Sequence, residues 1–119
     1  MPSPILDQEA IDNLRMLDAD GGDTFLREII GVFIEDAPQR IAEIDQSLAS
    51  GDTATFIRAA HTIKGSSSNV GAAALRAAAE KLEHYAKKNG LVDVATLIAD
   101  VKTEFASAKT ALNGLLTPP

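Results

Sequence analysis

The feature that most constrains this chain is an apolar repeat at helical spacing that recurs in blocks, each closed by glycine or polar turn residues. The longest block runs from Asp23 to about Leu48, with Leu26, Ile29, Ile30, Phe33, Ala37, Ile41, Ile44 and Leu48 on one face. Pro38 falls inside it. A proline removes one helical hydrogen bond and bends the axis, yet the stripe keeps its phase, which predicts one kinked helix. Ahead of this block, residues 7–17 predict a short helix with Ile11, Leu14 and Leu17 on a stripe and Asp7 as N-cap, followed by a turn over 18–22.

Three more helices follow. Ser50-Gly51-Asp52 breaks the chain, and Asp52 or Thr53 caps a helix that ends at Ser67 or Ser68. Asn69-Val70-Gly71 makes a tight connection to a helix from Ala72 to Lys88, with Leu75, Ala78, Ala79, Leu82 and Ala86 inward. Lys87 and Lys88 complement the dipole at its end, and Asn89-Gly90 closes it. The last helix runs from Leu91 or Val92 to Leu115, its stripe formed by Val94, Leu97, Ile98, Val101, Phe105, Ala108 and Leu112. Amphipathic helices joined by short connections must bury their stripes on each other. The expected fold is all-α: an antiparallel up-down four-helix bundle with a short additional N-terminal helix over one end. The 119 residues suit one domain, 1–119, with loose ends at 1–6 and 117–119. Aromatic residues make up 4%, which favours closely packed helices over a β-sandwich.

Composition removes several function classes. With no cysteine, a disulfide scaffold, a thiolate metal site and a cysteine nucleophile are excluded. The net charge of −6 repels a phosphate backbone, so neither nucleic acid nor an anionic membrane is an expected partner. No apolar run approaches the ~20 residues of a transmembrane helix. Met1-Pro2-Ser3-Pro4 has neither a basic nor an apolar leader region, so no signal peptide is expected and a cytoplasmic location is.

Residues 53–70 carry the chemistry. At about 100° per residue, Phe56, Ala59, Ala60, Ile63, Ser67 and Val70 share the core side, and His61 points away from it. Lys64 and Gly65, three and four residues on, neighbour His61 on the same surface; Ser68 lies a turn further and Ile57 a turn before, on the outer face. A glycine inside a helix costs about 1 kcal/mol against alanine. Beside an outward histidine it lets another molecule approach the imidazole, with Ile57 as an apolar contact and Lys64 as a charge for an anion on the ring. An exposed histidine on a helix is ordinarily inert; the combination is what singles this one out.

Ala60-His61-Thr62-Ile63-Lys64-Gly65-Ser66-Ser67-Ser68-Asn69-Val70-Gly71-Ala72 strongly resembles the signature of histidine-containing phosphotransfer domains, which relay phosphoryl groups between receiver domains in multistep two-component signalling. Phe33, Asp36 and Pro38 resemble the family's preceding helix, and Leu82-Glu83 its following one. The resemblance implies that His61 is the phosphoacceptor, that Lys64 offsets the phosphoryl charge of about −1.5 to −2, and that Gly65 gives the receiver access. Ser67 is read as a packing residue, and Asn69 and Gly71 as turn formers. Several family members carry Gln where this chain has Glu83. A carboxylate there can hold the ring N–H and fix the tautomer, repel the phosphoryl group, or sit in solvent as an ordinary helix charge.

Other patterns are weaker. His84 reads as solvated, and no spacing supplies a metal site. Asp18, Asp20 and Gly22 are not a calcium loop, because Ile29 stands at the twelfth position. Lys64-Gly65-Ser66 lacks the upstream glycine of a P-loop. With no ATP-binding motif, the chain is expected to be a transfer intermediary and not an enzyme with its own kinase activity. It would take phosphate from response-regulator receiver domains and hybrid sensor histidine kinases, act as a monomer, carry no cofactor, and rely on Mg²⁺ held by the receiver. The alternatives are a non-phosphorylated helical adaptor docking through the Ile57, His61 and Gly65 surface, and a purely structural bundle, against which Gly65 argues.

Overall fold

The computed structural model describes residues 3–18 and 23–116, and every regular element in them is helical. The helices are α1 (Gln8–Met16), α2 (Thr24–Ser50), α3 (Thr53–Asn69), α4 (Ala73–Asn89) and α5 (Ala95–Leu116). Helix α2 packs on α3, α3 on α4, α4 on α5, and α5 closes back on α2. This is the antiparallel four-helix bundle the periodicity demands, with α1 packed against α2 at one end.

Local chemistry sets most boundaries. Asp7 caps α1, its Oδ1 accepting the Glu9 and Ala10 backbone N–H groups at 3.1 and 3.4 Å. Gly51 ends α2 in the left-handed region at φ +75°. Asp52 caps α3 by accepting the Thr55 N–H at 3.1 Å and the Thr55 hydroxyl at 2.7 Å. Pro38 lies within α2, and Ile30, Phe33, Ala37 and Ile44 stay buried on both sides of it. The stripes meet in one core, where the Phe33 and Phe105 rings tie α2 to α5 at 5.7 Å between centroids.

Two expectations are corrected. The last helix begins at Ala95 and not at Leu91 or Val92. Asp93 takes a left-handed backbone at φ +59°, which a short polar residue tolerates better than most, and helical bonding starts only with the Ile98 N–H on the Val94 carbonyl at 2.9 Å. Val94 is buried all the same, because burial of a side chain does not require a helical backbone. Leu17 is 66% exposed and not on the buried stripe, since α1 has already ended there. Of the expected turn at 18–22, residues 19–22 lie outside the described residues, as do 1–2 and 117–119 of the expected loose ends.

The α3–α4 corner is also the seat of α1. The Asp7 N–H donates to the Gly71 carbonyl at 2.7 Å. Gly71 has φ +72°, and a Cβ there would lie 3.1 Å from Ala10 Cβ and 3.2 Å from the Asp7 carbonyl oxygen. Gly71→Ala therefore meets left-handed strain and needs Ala10 and the Asp7 backbone to give by a few tenths of an ångström. It is expected to lower stability by about 1–2 kcal/mol, read as a lower urea midpoint at unchanged m-value. Among the described residues, no helix is long and apolar enough to cross a membrane.

Candidate functional site

Helix α3 buries Phe56, Ala59, Ala60, Ile63 and Ser67 and turns His61 outward, its side chain 62% exposed. The predicted orientation holds, because packing α3 on both α2 and α4 fixes its rotation. Ser67 is fully buried and donates to the Ile63 carbonyl at 2.6 Å, as a packing residue does.

Packing α4 against α3 adds what the helical pattern of α3 could not show. Glu83 is buried, 2% exposed, and three groups converge on its carboxylate. His61 Nδ1 lies 2.9 Å from Oε2, Lys64 Nζ 3.0 Å from Oε1, and Lys87 Nζ 3.0 Å from Oε2. Burial pushes this carboxyl upward, but the contacts from Lys87, Lys64 and His61 outweigh it and bring it down to about 2. Glu83 is therefore ionised at neutral pH. An ionised carboxylate only accepts, so the proton of a neutral imidazole sits on Nδ1 and the lone pair is left on Nε2. Nε2 of this exposed ring then carries a lone pair able to act as a nucleophile, with the ring held through Nδ1 by Glu83.

The other predicted residues divide. Gly65 is exposed, and a Cβ built on it meets nothing within 4 Å, so its missing side chain serves no internal packing. Gly65→Gln is expected to leave stability unchanged or raise it by up to about 1 kcal/mol, read as the melting temperature. Ile57 is half-buried and packs partly against the core, a correction to its placement on the outer face: the α2–α3 and α3–α4 interfaces together cover more of α3 than its main stripe. Lys64 pairs with Glu83, and its side chain is only 22% exposed. Ser68 is exposed and accepts a hydrogen bond from Arg76 Nε at 2.9 Å, which ties it to α4. His84 is exposed, with no role in this cluster.

Sequence reasoning missed two features. The helical pattern marks Lys87 only as a dipole partner, yet it lies one helical turn beyond Glu83, at ion-pair spacing. Glu83 itself sits four residues after Ala79 and three before Ala86, on the edge of the buried stripe, and that phase was the available sign of its burial. The second omission is a largely apolar groove of about 430 Å³ between the α1 end, α2 and the α3 end, lined among others by Leu17, Phe25, Ile29, Val32, Ser66 and Asn69. Val32 is 67% exposed and outside the α2 stripe, which was its signature. Among the described residues no group of three His, Cys, Asp or Glu side chains is placed to hold a metal ion.

Residues 28–111 match the family described as the Hpt domain. The chain is 26% identical over 105 residues to histidine-containing phosphotransfer protein 2 of Arabidopsis thaliana, covering 86% of this chain and 67% of that protein. It is 27% identical over 81 residues to multistep phosphorelay regulator 1 of Schizosaccharomyces pombe, covering 68% of this chain but only 28% of the regulator. Among solved structures, histidine-containing phosphotransfer protein B of Pseudomonas aeruginosa superposes with a TM-score of 0.83 at 27% identity, covering 94% of each chain. A histidine-containing phosphotransfer protein from maize gives 0.83 at 26% identity, covering 94% of this chain and 83% of that one.

Proposed function

Because the chain belongs to the Hpt domain family and is a phosphorelay intermediary, we propose that His61 is the residue on which it carries the phosphoryl group. The observation that supports this most is the His61–Glu83 contact at 2.9 Å, which leaves Nε2 as the free nucleophile on an exposed ring. The Nε2 lone pair attacks the phosphorus of an acyl phosphate on a receiver aspartate. The N–P bond forms, the P–O bond breaks, and the aspartate carboxylate leaves with the electron pair. The Nδ1 proton stays on the ring against Glu83, whose negative charge balances the cationic phosphoimidazole. The same steps reversed hand the group on. Lys64 offsets the charge brought to Nε2.

We assign Mg²⁺ to the receiver, in line with the resemblance, and no cofactor to this chain. The partners are response-regulator receiver domains and hybrid sensor histidine kinases. Gly65 gives them access, and the groove beyond it supplies apolar contact: Ser66 and Asn69 on its wall lie about 7.5 and 12 Å beyond His61 along α3. Exposed Ser68, a turn beyond Lys64 along α3, and the part of half-buried Ile57 left uncovered by the core bound this surface. The chain acts in the cytoplasm, as a monomer, as a carrier and not as a kinase. Incubation with phosphorylated receiver domains is expected to place acid-labile, base-stable phosphate on it. Binding of a receiver without any transfer would overturn the assignment in favour of an adaptor.

A further inference from the structure

The Glu83 carboxylate fixes the His61 tautomer through one contact and pairs with two cations besides, Lys64 and Lys87. Its two lysines are not equivalent. Lys64 stands on the helix of His61, three residues on, and reaches Oε1. Lys87 stands on the helix of Glu83 itself, four residues on, and reaches Oε2, the oxygen shared with the imidazole. The Lys64 contact therefore crosses between helices on the imidazole side, whereas the Lys87 contact lies within α4 and needs nothing from α3.

A phosphoryl group on Nε2 brings a charge of about −1.5 to −2 beside a carboxylate that is already ionised and buried. Lys64 is the cation on the imidazole's own surface, and its flexible stem lets the ammonium change partners. With Lys64 as its sole counter-ion, the carboxylate would hold it, because a buried charge stripped of its partner is strongly disfavoured. We infer that Lys87 is a positioning residue for phosphoryl transfer: it remains as counter-ion to Glu83 and so releases Lys64 from that carboxylate to the phosphoryl group. No covalent bond or proton moves in this exchange; one ammonium leaves Oε1 for a phosphoryl oxygen while the other stays on Oε2. The inference rests on His61 being the phosphorylated residue.

The test loads the protein with potassium phosphoramidate, a small donor that needs no receiver, and follows hydrolysis of the isolated phosphoprotein. Wild type is compared with Lys87→Gln, Lys87→Arg, Lys64→Ala and the Lys87→Gln/Lys64→Ala pair. Lys87→Gln is expected to shorten the half-life about threefold to fivefold, the scale of one partly exposed charge pair, and to approach the value of Lys64→Ala. Lys87→Arg restores it, and the double variant is no shorter-lived than Lys64→Ala alone, because both changes remove the same Lys64–phosphoryl contact. A merely structural Lys87 would not produce that non-additivity. An unchanged half-life in Lys87→Gln, or effects that multiply in the double variant, overturns the inference. Wild type that loads from phosphoramidate but not from receivers removes the relay role of His61 and leaves Lys87 to be decided by the half-lives. No loading of His61 from either donor overturns both.

Discussion

Replacing His61 with Gln abolishes acid-labile labelling of the chain by phosphorylated receiver domains and leaves the fold intact. The loss is complete because the nucleophilic Nε2 has no counterpart in a glutamine amide, which is not basic. The fold survives because the ring is 62% exposed, so little buried area is lost. A glutamine N–H can also replace Nδ1–H as a donor to Glu83, which keeps the stability change to about 1 kcal/mol or less. The check is labelling and thermal melting on the same sample. Labelling that persists in His61→Gln, or that maps to His84, removes His61 as the phosphoacceptor.

The second large effect lies in acid. Glu83 is held at about 2 in the folded chain against an ordinary 4.5. A carboxyl lowered by folding stabilises the fold fully above its unfolded value and loses that contribution as pH falls toward its folded value. The window is therefore about 4.5 down to about 2, and the gap corresponds to roughly 3 kcal/mol. Glu83→Gln removes this contribution, leaving Lys64 and Lys87 facing an amide, at an expected cost of about 2 kcal/mol at neutral pH. Urea midpoints from pH 7 to pH 2.5 should show wild type more stable at neutral pH, a steeper acid slope for wild type, and convergence toward the acid end. Parallel curves would show that the buried carboxylate gains nothing from its cationic partners.

The site and the fold were legible to different depths. The rotation of α3 follows from Phe56, Ala59, Ala60, Ile63 and Ser67, and with it the outward His61 and the open Gly65; all three emerge from one local repeat. Asp7 and Asp52 mark helix starts by accepting backbone N–H groups from residues two or three positions on, so the sequence is enough to find them. Asp93 carries no such mark. Its left-handed backbone delays α5 while Val94 keeps its place in the core, and apolar spacing cannot distinguish a helical residue from one that enters the core just before a helix.

The amino-acid order by itself determined the helices, their buried faces and the surface on which His61 stands, because a helix has one period and each apolar residue reports its own angle. Only the tertiary structure decided that Glu83 is buried, that it holds Nδ1 of His61, and that Lys64 and Lys87 share its charge. His61 and Glu83 are 22 residues apart and meet only through the register of α4 against α3. That register is set by the shape of the whole core, in which an error of one helical turn, about 5.4 Å, would part them.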